Sequence, residues 1–478
     1  MKILVVSQRY WPEPFQVNRI CEGLVKLGHQ VDVLAGLPQY PKGKVFDRYR
    51  HGKNRQEIHN EVNIFRTYES ERGNNKSYEI IWNYITWTVS AVWYAFWQRQ
   101  KYDRILVNEV SPVFVILPAI VLAKKQKIPL YVYVMDLWPD SLFSVMNFKA
   151  HWLRNMLTGL SLWHYKKASG LIVAWQGMIE RFREVGITDK PMLYAAHTMI
   201  QRAESREQRA ESREQRAESR EQRIENRECR IQNDRIVGAD ASARRGSVNP
   251  TQSRPAVVEL LDSKLFNVVF VGNLNPNQDF PTVIAAAKIL QQARQNPVKK
   301  LSVQPAKPKK SERSLKGVHF TVVGDGMSKL EIQDQVFKEN LQNYFTFAGM
   351  QFGKTVEQYQ KEADVMIVCA IQDPMYQYVI PGKVYSYLIA GKPIVAAMDG
   401  ASQDLINHRA RAGICVNSGD FESLAEAILE IQQMTKSERK ALGLAGKKYA
   451  EKYWDYDETM QRIEKFVASG TVVNSDEY

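Results

Sequence analysis

The sequence predicts an α/β protein made of two Rossmann-like, doubly wound domains that face each other across a cleft and carry low-complexity inserts. Three observations lead to this fold class. Apolar, strand-like runs alternate with helix-like segments in both halves of the chain. A chain of 478 residues is too long for a single core. Strand–helix alternation implies parallel sheets with helices on both faces, and ligands bind at the carboxyl ends of such strands.

The alternation can be followed element by element, because short apolar runs between turn residues predict strands and longer periodic segments predict helices. In the first half the predicted elements are strands at 3–7, 31–35, 64–68, 104–108, 130–135 and 170–174, with helices at 17–27, 80–97 and 113–124. In the second half they are strands at 268–272, 319–323, 345–349, 365–370 and 394–397, with helices at 280–291, 356–363 and 384–390. No leader-like segment precedes the first strand, so we expect a cytoplasmic protein.

Two low-complexity stretches interrupt the alternation. Residues 201–221 are three copies of the heptad QRAESRE, and degenerate copies continue to residue 235. Each copy offers one apolar residue where a coiled-coil seam needs two, so this segment is either a solvated helix or disordered. A second insert, at about 291–316, is rich in Lys, Pro and Ser. The predicted division is therefore a first domain at 1–197, a repeat insert and linker at 198–257, a second domain at 258–446, and a terminal segment at 447–478.

The net charge of +13 lies mostly in these inserts. Residues 198–257 hold 13 Lys and Arg against 10 Asp and Glu, and residues 291–316 hold 8 against 1. Since the remainder shows no basic face, zinc-finger spacing or aromatic RNA-binding signature, we expect no nucleic-acid partner. The four cysteines are scattered without a C-x-x-C pair, and no histidine has metal-ligand spacing, so no metal site is predicted.

The segment at 80–97 has four tryptophans within one predicted helix. At about 1.5 Å per residue it extends only ~27 Å, and polar residues interrupt it, which disfavours a membrane span. Trp and Tyr are typical of the membrane–water interface. The alternatives are a helix lying on the inner face of the membrane, a buried helix and a span, and we expect a peripheral membrane contact.

The tract at 380–395 has the composition of an anion site. Pro381 and Gly382 predict a tight turn, Val384 to Ala390 predict a short helix that starts beside Lys383, and Gly391 can end that helix in a left-handed cap. A diphosphate at this helix start would meet free N–H groups, the positive end of the helix dipole and the Lys383 ammonium. An ordinary helix start with a solvated lysine is the alternative.

Other candidate residues follow predicted strands, where the loops of this architecture meet. Gly272 and Asn273 connect a strand to a helix, so their backbone could approach the same diphosphate. Gly324, Asp325 and Gly326 end another strand, where they fit either a close approach to a nucleoside or a tight turn. Asp136 follows the apolar run 130–135 and either binds sugar or acceptor hydroxyls or caps the next turn.

Five motifs in order give the chain a resemblance to family 4 glycosyltransferases with the GT-B fold, in the branch assigned to fucosamine transferases of polysaccharide synthesis. They cover essentially the whole chain outside the two inserts. The motifs are residues 1–7 with Pro12-Glu13-Pro14 and 28–31, residues 136–141, residues 271–274, residues 324–326 and residues 380–393.

The resemblance implies retaining sugar transfer from a nucleotide-sugar, here a UDP-type donor, without a cofactor or catalytic metal. The second domain would hold the donor, and the first would hold a lipid-linked or polysaccharide acceptor at the cytoplasmic membrane face. Breaking the sugar–phosphate bond develops negative charge on the leaving diphosphate, so a cation and preorganised amides are needed there. Lys383 is the candidate catalytic cation, with Asp136 orienting the acceptor and Glu13 a candidate general base. The terminal helix would return to the first domain.

The resemblance also places particular residues around the donor. Its donor-binding set is Gly272, Asn273, Gly324, Asp325, Gly326, Gly349, Met350, Pro381, Gly382, Lys383, Val384, Tyr385 and Ser386. Ser386 stands where the family usually has a glutamate that holds the ribose hydroxyls, which predicts weaker nucleotide binding by ~1.5 to 3 kcal/mol. A non-catalytic sugar-nucleotide-binding protein and a GT-B sugar-nucleotide epimerase are therefore the alternative functions.

Overall fold

The computed structural model describes residues 1–73, 76–145, 151–197, 199–200, 260–295 and 316–472. The heptad repeats, the linker that follows them and residues 296–315 of the second insert lie outside the described residues. The described part of the chain forms two sheets within one compact unit.

The first sheet contains eight strands among the described residues, in the order β3-β4-β2-β1-β5-β6-β7-β8. All neighbouring pairs are parallel except β3 and β4, which form an antiparallel hairpin at one edge. The strands are β1 (Lys2–Val6), β2 (Gln30–Ala35), β3 (Gln56–His59), β4 (Val62–Arg66), β5 (Arg104–Glu109), β6 (Leu130–Val134), β7 (Gly170–Val173) and β8 (Met192–Tyr194).

The second sheet contains six parallel strands among the described residues, in the order β11-β10-β9-β12-β13-β14. The strands are β9 (Phe266–Val271), β10 (Val318–Val323), β11 (Phe345–Gly349), β12 (Val365–Cys369), β13 (Ile394–Ala397) and β14 (Gly413–Val416). Strand β12 is buried at every position, as expected for a strand covered by helices on both faces. The predicted fold class, two doubly wound α/β domains, is confirmed.

Helices connect the strands and cover the sheets. In the first domain they are α1 (Gln16–Lys26), α2 (Ser77–Trp97), α3 (Leu117–Gln126), α4 (Asp140–Val145), α5 (His151–Lys166) and α6 (Gly177–Glu184). In the rest of the described chain they are α7 (Phe280–Gln295), α8 (Lys329–Lys338), α9 (Lys354–Glu362), α10 (Gly382–Ala390), α11 (Ala401–Asp404), α12 (Phe421–Gln433), α13 (Lys436–Tyr453) and α14 (Tyr456–Ser469). Helix α7 runs four residues beyond its predicted end and occupies the start of the second insert, because no proline lies between its first turn and Pro297.

The last helix, α14, packs on the first domain. A side chain at Gly23 of α1 would overlap the Tyr456 hydroxyl and Met460, so this glycine permits the two helices to approach closely. Arg104 donates hydrogen bonds to the carbonyl oxygens of Val467 and Ala468 at the far end of α14. The terminal segment therefore lies against the sheet on which the chain begins.

Aromatic residues of the two domains contact each other where the chain returns from the second domain to the first. The Tyr385 ring, on α10, lies 4.3 Å from the Trp454 ring between centroids. The indole N–H of Trp454 donates to the hydroxyl of Tyr194, which ends β8 of the first sheet. Tyr385 and Trp454 are both almost fully buried. This contact fixes the start of α10 relative to the first domain.

Candidate active site

Helix α10 begins in the way that an anion site requires. Pro381 precedes it with φ of −56° and ψ of 138°, and the amides of Gly382 and Lys383 in the first turn have no helical partner. Gly391 ends the helix in the left-handed conformation, with φ of 68°, so the predicted cap is confirmed. The side chains of Val384 and Tyr385 are buried in the core. Their side chains are therefore closed to a ligand, and the Val384 amide donates to the carbonyl oxygen of Pro381.

Lys383 lies in the first turn of α10 and is half-buried. Its Nζ is 5.1 Å from the centroid of the Phe270 ring, on β9. Burial lowers the pKa of the ammonium to about 8. Among the described residues no carboxylate forms an ion pair with it. A cation that is desolvated and lacks a protein counter-charge is stabilised when an anion binds beside it.

Gly272 brings the end of β9 directly against Lys383. A Cβ on Gly272 would lie 2.1 Å from Cε and 2.9 Å from Nζ of Lys383, and the glycine has φ of 149°. Any side chain here would therefore displace the lysine. The two segments that the sequence predicts to hold one diphosphate are thus in contact through this residue.

The next loop, after β10, packs on the first. A Cβ on Gly324 would lie 1.9 Å from the carbonyl oxygen of Gly272, and one on Gly326 would lie 2.1 Å from that of Leu274. The amide of Gly324 donates to the carbonyl of Gly349, which ends β11. Three strand ends therefore meet at one edge of the second sheet, and glycines allow their backbones to pass close together.

The polar side chains of these loops have local partners. Asp325 accepts hydrogen bonds from its neighbouring Gly326 amide and from Lys329 Nζ, and these bonds lower the pKa of its carboxyl. The Asn273 amide oxygen would lie 2.4 Å from a Cβ on Gly326. Asp325 thus closes a tight turn, and the candidate contact of this loop with a ligand comes through its backbone.

Two further candidates lie at the margin of this edge. Ser386 donates its hydroxyl hydrogen to the carbonyl oxygen of Lys383, one turn back in α10. In this arrangement the hydroxyl is engaged in its own helix. Met350 follows Gly349 and is 55 % exposed, so it forms an open apolar margin beside the strand ends.

Asp136 lies just beyond the end of β6, in the first domain. It lines a cavity of about 850 Å³ together with Asn277, Met375 and Val379 of the second domain. Burial raises the pKa of its carboxyl to about 7. Asn277 belongs to the loop that begins at Gly272, so a single loop borders both Lys383 and the cavity with Asp136. The structure therefore brings these two predicted residues to neighbouring parts of the cleft.

Glu109, which the sequence analysis did not single out, lies beside Asp136. It ends β5, and its backbone carbonyl accepts from the amide of Met135 on the adjacent segment. Its side chain is fully buried and faces the buried hydroxyl of Tyr165. Burial, followed by the charge of Asp136, raises the pKa of Glu109 well above its ordinary value. Of these two carboxyls, Asp136 is therefore the one that ionises near neutral pH.

Glu13 has a different environment from the one predicted. It is buried, and Oε1 accepts from the backbone amides of Gln39 and Tyr40 at 2.9 and 2.7 Å. Arg9 Nη1 lies 3.7 Å from the same oxygen. These contacts anchor the 39–40 loop, and Glu13 is enclosed within its own domain rather than open to an acceptor.

The second domain is similar to a known protein family. Residues 265–433 match the family described as "Glycosyl transferases group 1". Over 173 residues the chain is 25% identical to 2-deoxystreptamine N-acetyl-D-glucosaminyltransferase of Niallia circulans. That alignment covers 36% of this chain and 37% of the relative, so the chain spans about a third of the length of this curated protein.

Solved structures resemble the chain over nearly its full length. Sucrose-phosphate synthase of Thermosynechococcus elongatus is similar with a TM-score of 0.63 and 13% identity, covering 97% of this chain and 98% of that one. Anabaena HepE, solved in complex with UDP and glucose, is similar with a TM-score of 0.57 and 14% identity, covering 98% and 100%. The architecture is the GT-B fold.

The family match and the fold together support a glycosyltransferase. Residues 265–433, which contain the β9 and β10 loops and α10, are the part of the chain that matches the group 1 family. The resemblance stated from the sequence is confirmed at this level.

Proposed function

We propose that the protein transfers an N-acetylated amino sugar from a UDP-sugar to a lipid-linked saccharide, with retention and without a metal, in cell-surface polysaccharide synthesis such as that of O-antigen or capsule. The observation that carries this proposal is the packing of Gly272 against Lys383 at the start of α10. A diphosphate placed there would meet the ammonium, the free amides of the first turn and the positive end of the helix dipole. The UDP in the HepE structure and the name of the Niallia circulans relative support the nucleotide and the amino sugar.

In the proposed reaction, the bond between the sugar carbon and the diphosphate oxygen breaks while the acceptor oxygen bonds to the same carbon, and the acceptor's hydroxyl proton passes to the departing diphosphate. Negative charge grows on the leaving UDP, and the Lys383 ammonium with the unpaired amides of Gly382 and Lys383 stabilises it without needing to reorganise. The Asp136 carboxylate orients the acceptor hydroxyl from the opposite wall of the cleft. The resemblance of the five motifs taken together to fucosamine transferases fits an amino-sugar donor.

A donor panel tests the proposal. The purified full-length chain is incubated with UDP-N-acetylhexosamines, UDP-hexoses and the corresponding GDP- and dTDP-sugars, with and without a lipid-linked saccharide. We expect acceptor-dependent UDP release and a product whose NMR spectrum shows the donor's anomeric configuration. UDP binding without turnover would indicate a non-catalytic protein, and an isomerised donor without an acceptor would indicate an epimerase.

The pH dependence of transfer follows from Asp136. Its carboxyl is neutral below about pH 7 and charged above it, so turnover should rise with pH through this value. Asp136→Asn should lower kcat by about 10²-fold or more and remove this acidic limb from the profile. Asp140→Asn, four residues on and paired with Arg181, is the matched control that should retain the limb. An unchanged profile in Asp136→Asn would contradict the assignment.

The proposed membrane contact has a structural basis in α2 and α5. Exposed apolar side chains along α2 form a surface here called the aromatic face, and Trp152, Met156 and Trp163 of α5 are also exposed; the face consists of Tyr78, Ile81, Trp82, Ile85, Val89, Trp93, Phe96 and Trp97. The α2 members recur at three- and four-residue spacing, so they form one stripe along the helix. Among the described residues no helix combines the length and apolarity needed to cross a membrane.

Positively charged side chains near the aromatic face favour binding to anionic lipid. Arg99 and Lys101 follow α2, and Lys124 and Lys127 lie at the end of α3; all four are exposed. Lys125 ties the two helix ends together by donating to the carbonyl oxygens of Phe96 and Gln98. Each cation near the headgroups of an anionic membrane contributes about 1 kcal/mol. The proposal is that α2 lies in the plane of the inner membrane surface.

A single substitution tests this contact. Trp93 is 67% exposed, so Trp93→Glu should leave the fold unchanged while lowering binding to phosphatidylglycerol vesicles by about tenfold or more. Phe337→Glu, on the exposed side of α8 in the second domain, is the matched control and should bind like the wild type. Vesicle co-sedimentation at low and high salt measures both. Equal binding of the Trp93 and Phe337 variants would argue against the aromatic face as the membrane contact.

A further inference from the structure

The cavity beside Asp136 is lined mostly by apolar side chains, with Ser77, Ser111, Ser141 and Asn277 as its neutral polar members. Its wall includes Ile81 and Ile85 of α2, Leu153 and Leu157 of α5, and the indoles of Trp138 and Trp175. Sugars are recognised by convergent hydrogen-bonding groups, whereas a wall of aliphatic and aromatic side chains favours hydrocarbon. At about 850 Å³ the cavity is also large enough for a drug-sized ligand. The saccharide part of an acceptor therefore does not account for this space.

The position of the cavity links two features already described. Ile81 and Ile85 belong both to the cavity wall and to the aromatic face, so this end of the cavity adjoins the surface proposed to meet the membrane. Asp136 and Asn277 line the same cavity, and Asn277 lies in the loop that packs against Lys383. A chain entering from the membrane would thus be led toward the cleft where transfer is proposed.

We propose that this cavity holds the single hydrocarbon chain of the lipid-linked acceptor, in the portion nearest its phosphate. The inference rests on the proposed function for the nature of the acceptor, and it adds that the protein recognises the chain as well as the sugar. Continuity with the aromatic face and its flanking cations selects a phosphorylated membrane lipid as the occupant. The acceptor's chain then anchors it with the reactive sugar near Asp136.

Burying hydrocarbon makes affinity depend on chain length until the cavity is full. Prenyl diphosphates of five, ten and fifteen carbons, titrated calorimetrically into the full-length protein below their micellar concentrations, measure this dependence without any sugar chemistry. We expect affinity to rise by about tenfold or more with each added isoprene unit. Leu157→Trp, which fills the cavity from α5, should abolish the dependence and weaken binding of the fifteen-carbon chain by about tenfold or more.

A control variant and a second ligand, UDP, test whether the effect of Leu157→Trp is specific to the cavity. Val89→Trp adds the same side chain on α2 outside the cavity lining and should preserve the chain-length dependence. UDP affinity should be unchanged in both variants, which shows that the donor domain remains folded. Wild-type affinity that does not vary with chain length, or a Leu157→Trp variant that binds like the wild type, would overturn the inference. Two-chain phosphatidic acid competing equally well would overturn the single-chain assignment.

The inference and the proposed function fail in different ways. If chain-dependent binding is found and lost in Leu157→Trp, but no donor supports sugar transfer, the cavity assignment stands and the transferase proposal falls. If sugar passes equally fast to a chainless soluble acceptor and to the lipid-linked one, the transferase proposal stands and the cavity assignment falls.

Discussion

Lys383→Ala is expected to lower turnover by about 10² to 10³-fold while the protein stays folded. This is the magnitude found when one preorganised donor to developing negative charge is removed from an active site. The expectation is specific to Lys383 because, among the described residues, it is the cation that packs against Gly272 at the start of α10. Steady-state UDP release with saturating acceptor measures the effect, and circular dichroism with thermal melting checks the fold.

The Lys383 ammonium should also determine how activity changes at alkaline pH. With its pKa lowered to about 8, Lys383 loses its charge as the pH rises through that value, so kcat/KM for the donor should fall above it. Lys383→Arg keeps its charge well above this range, so the fall should move to higher pH even if the rate is reduced. Lys338→Ala removes an exposed cation of the same domain and should leave the profile unchanged. A Lys383→Ala variant with wild-type turnover would contradict the proposed role.

Gly324→Ala is expected to have the largest effect on the fold of the donor site. The glycine has φ of 151°, and a methyl group would lie 1.9 Å from the carbonyl oxygen of Gly272. The backbone conformation costs an alanine about 1–2 kcal/mol, and separating the two loops adds about 1–3 kcal/mol. Urea unfolding should therefore show a loss of about 2–5 kcal/mol, and UDP binding should weaken because the Gly272 loop can no longer reach Lys383.

A second glycine separates the two causes of this loss. Gly419 also has positive φ, 79°, but a Cβ there would meet no atom within 4 Å. Gly419→Ala should therefore cost only about 1–2 kcal/mol and leave UDP affinity unchanged. If the two alanine variants have the same free energy of unfolding and the same UDP affinity, the close approach of the β9 and β10 loops is not required for stability or for UDP binding.

Much of the fold could be predicted because its signals are local. Strand β12 could be predicted from its own apolar run. Helix α10 could be predicted from the turn residues at its two ends, Pro381 and Gly382 before it and Gly391 after it. Edge elements are different. Strand β3 has the sequence QEIH, half of it exposed, and it forms because β4 lies antiparallel to it. Strand β14 begins at Gly413, whose Cβ position is occupied by the Ile394 carbonyl. Tertiary pairing rather than composition specifies such strands.

The same distinction applies to the site. Glu109 could have been found, because it ends an apolar strand just as Asp136 does, on the neighbouring strand. Glu13 could not have been placed correctly, because the amides that bind it belong to residues 26 and 27 positions away. The local bond of Ser386 to Lys383 and the turn closed by Asp325 likewise depend on side-chain geometry that the motif does not contain.

The most direct test of the central claim is a crystal structure of the protein with UDP bound. The account predicts a β-phosphate oxygen within about 3 Å of Lys383 Nζ, with further oxygens facing the amides at the start of α10 and the Gly272 loop. A diphosphate bound elsewhere in the cleft would contradict the account, if the Lys383 ammonium still packs over the Phe270 ring and makes no contact with the diphosphate.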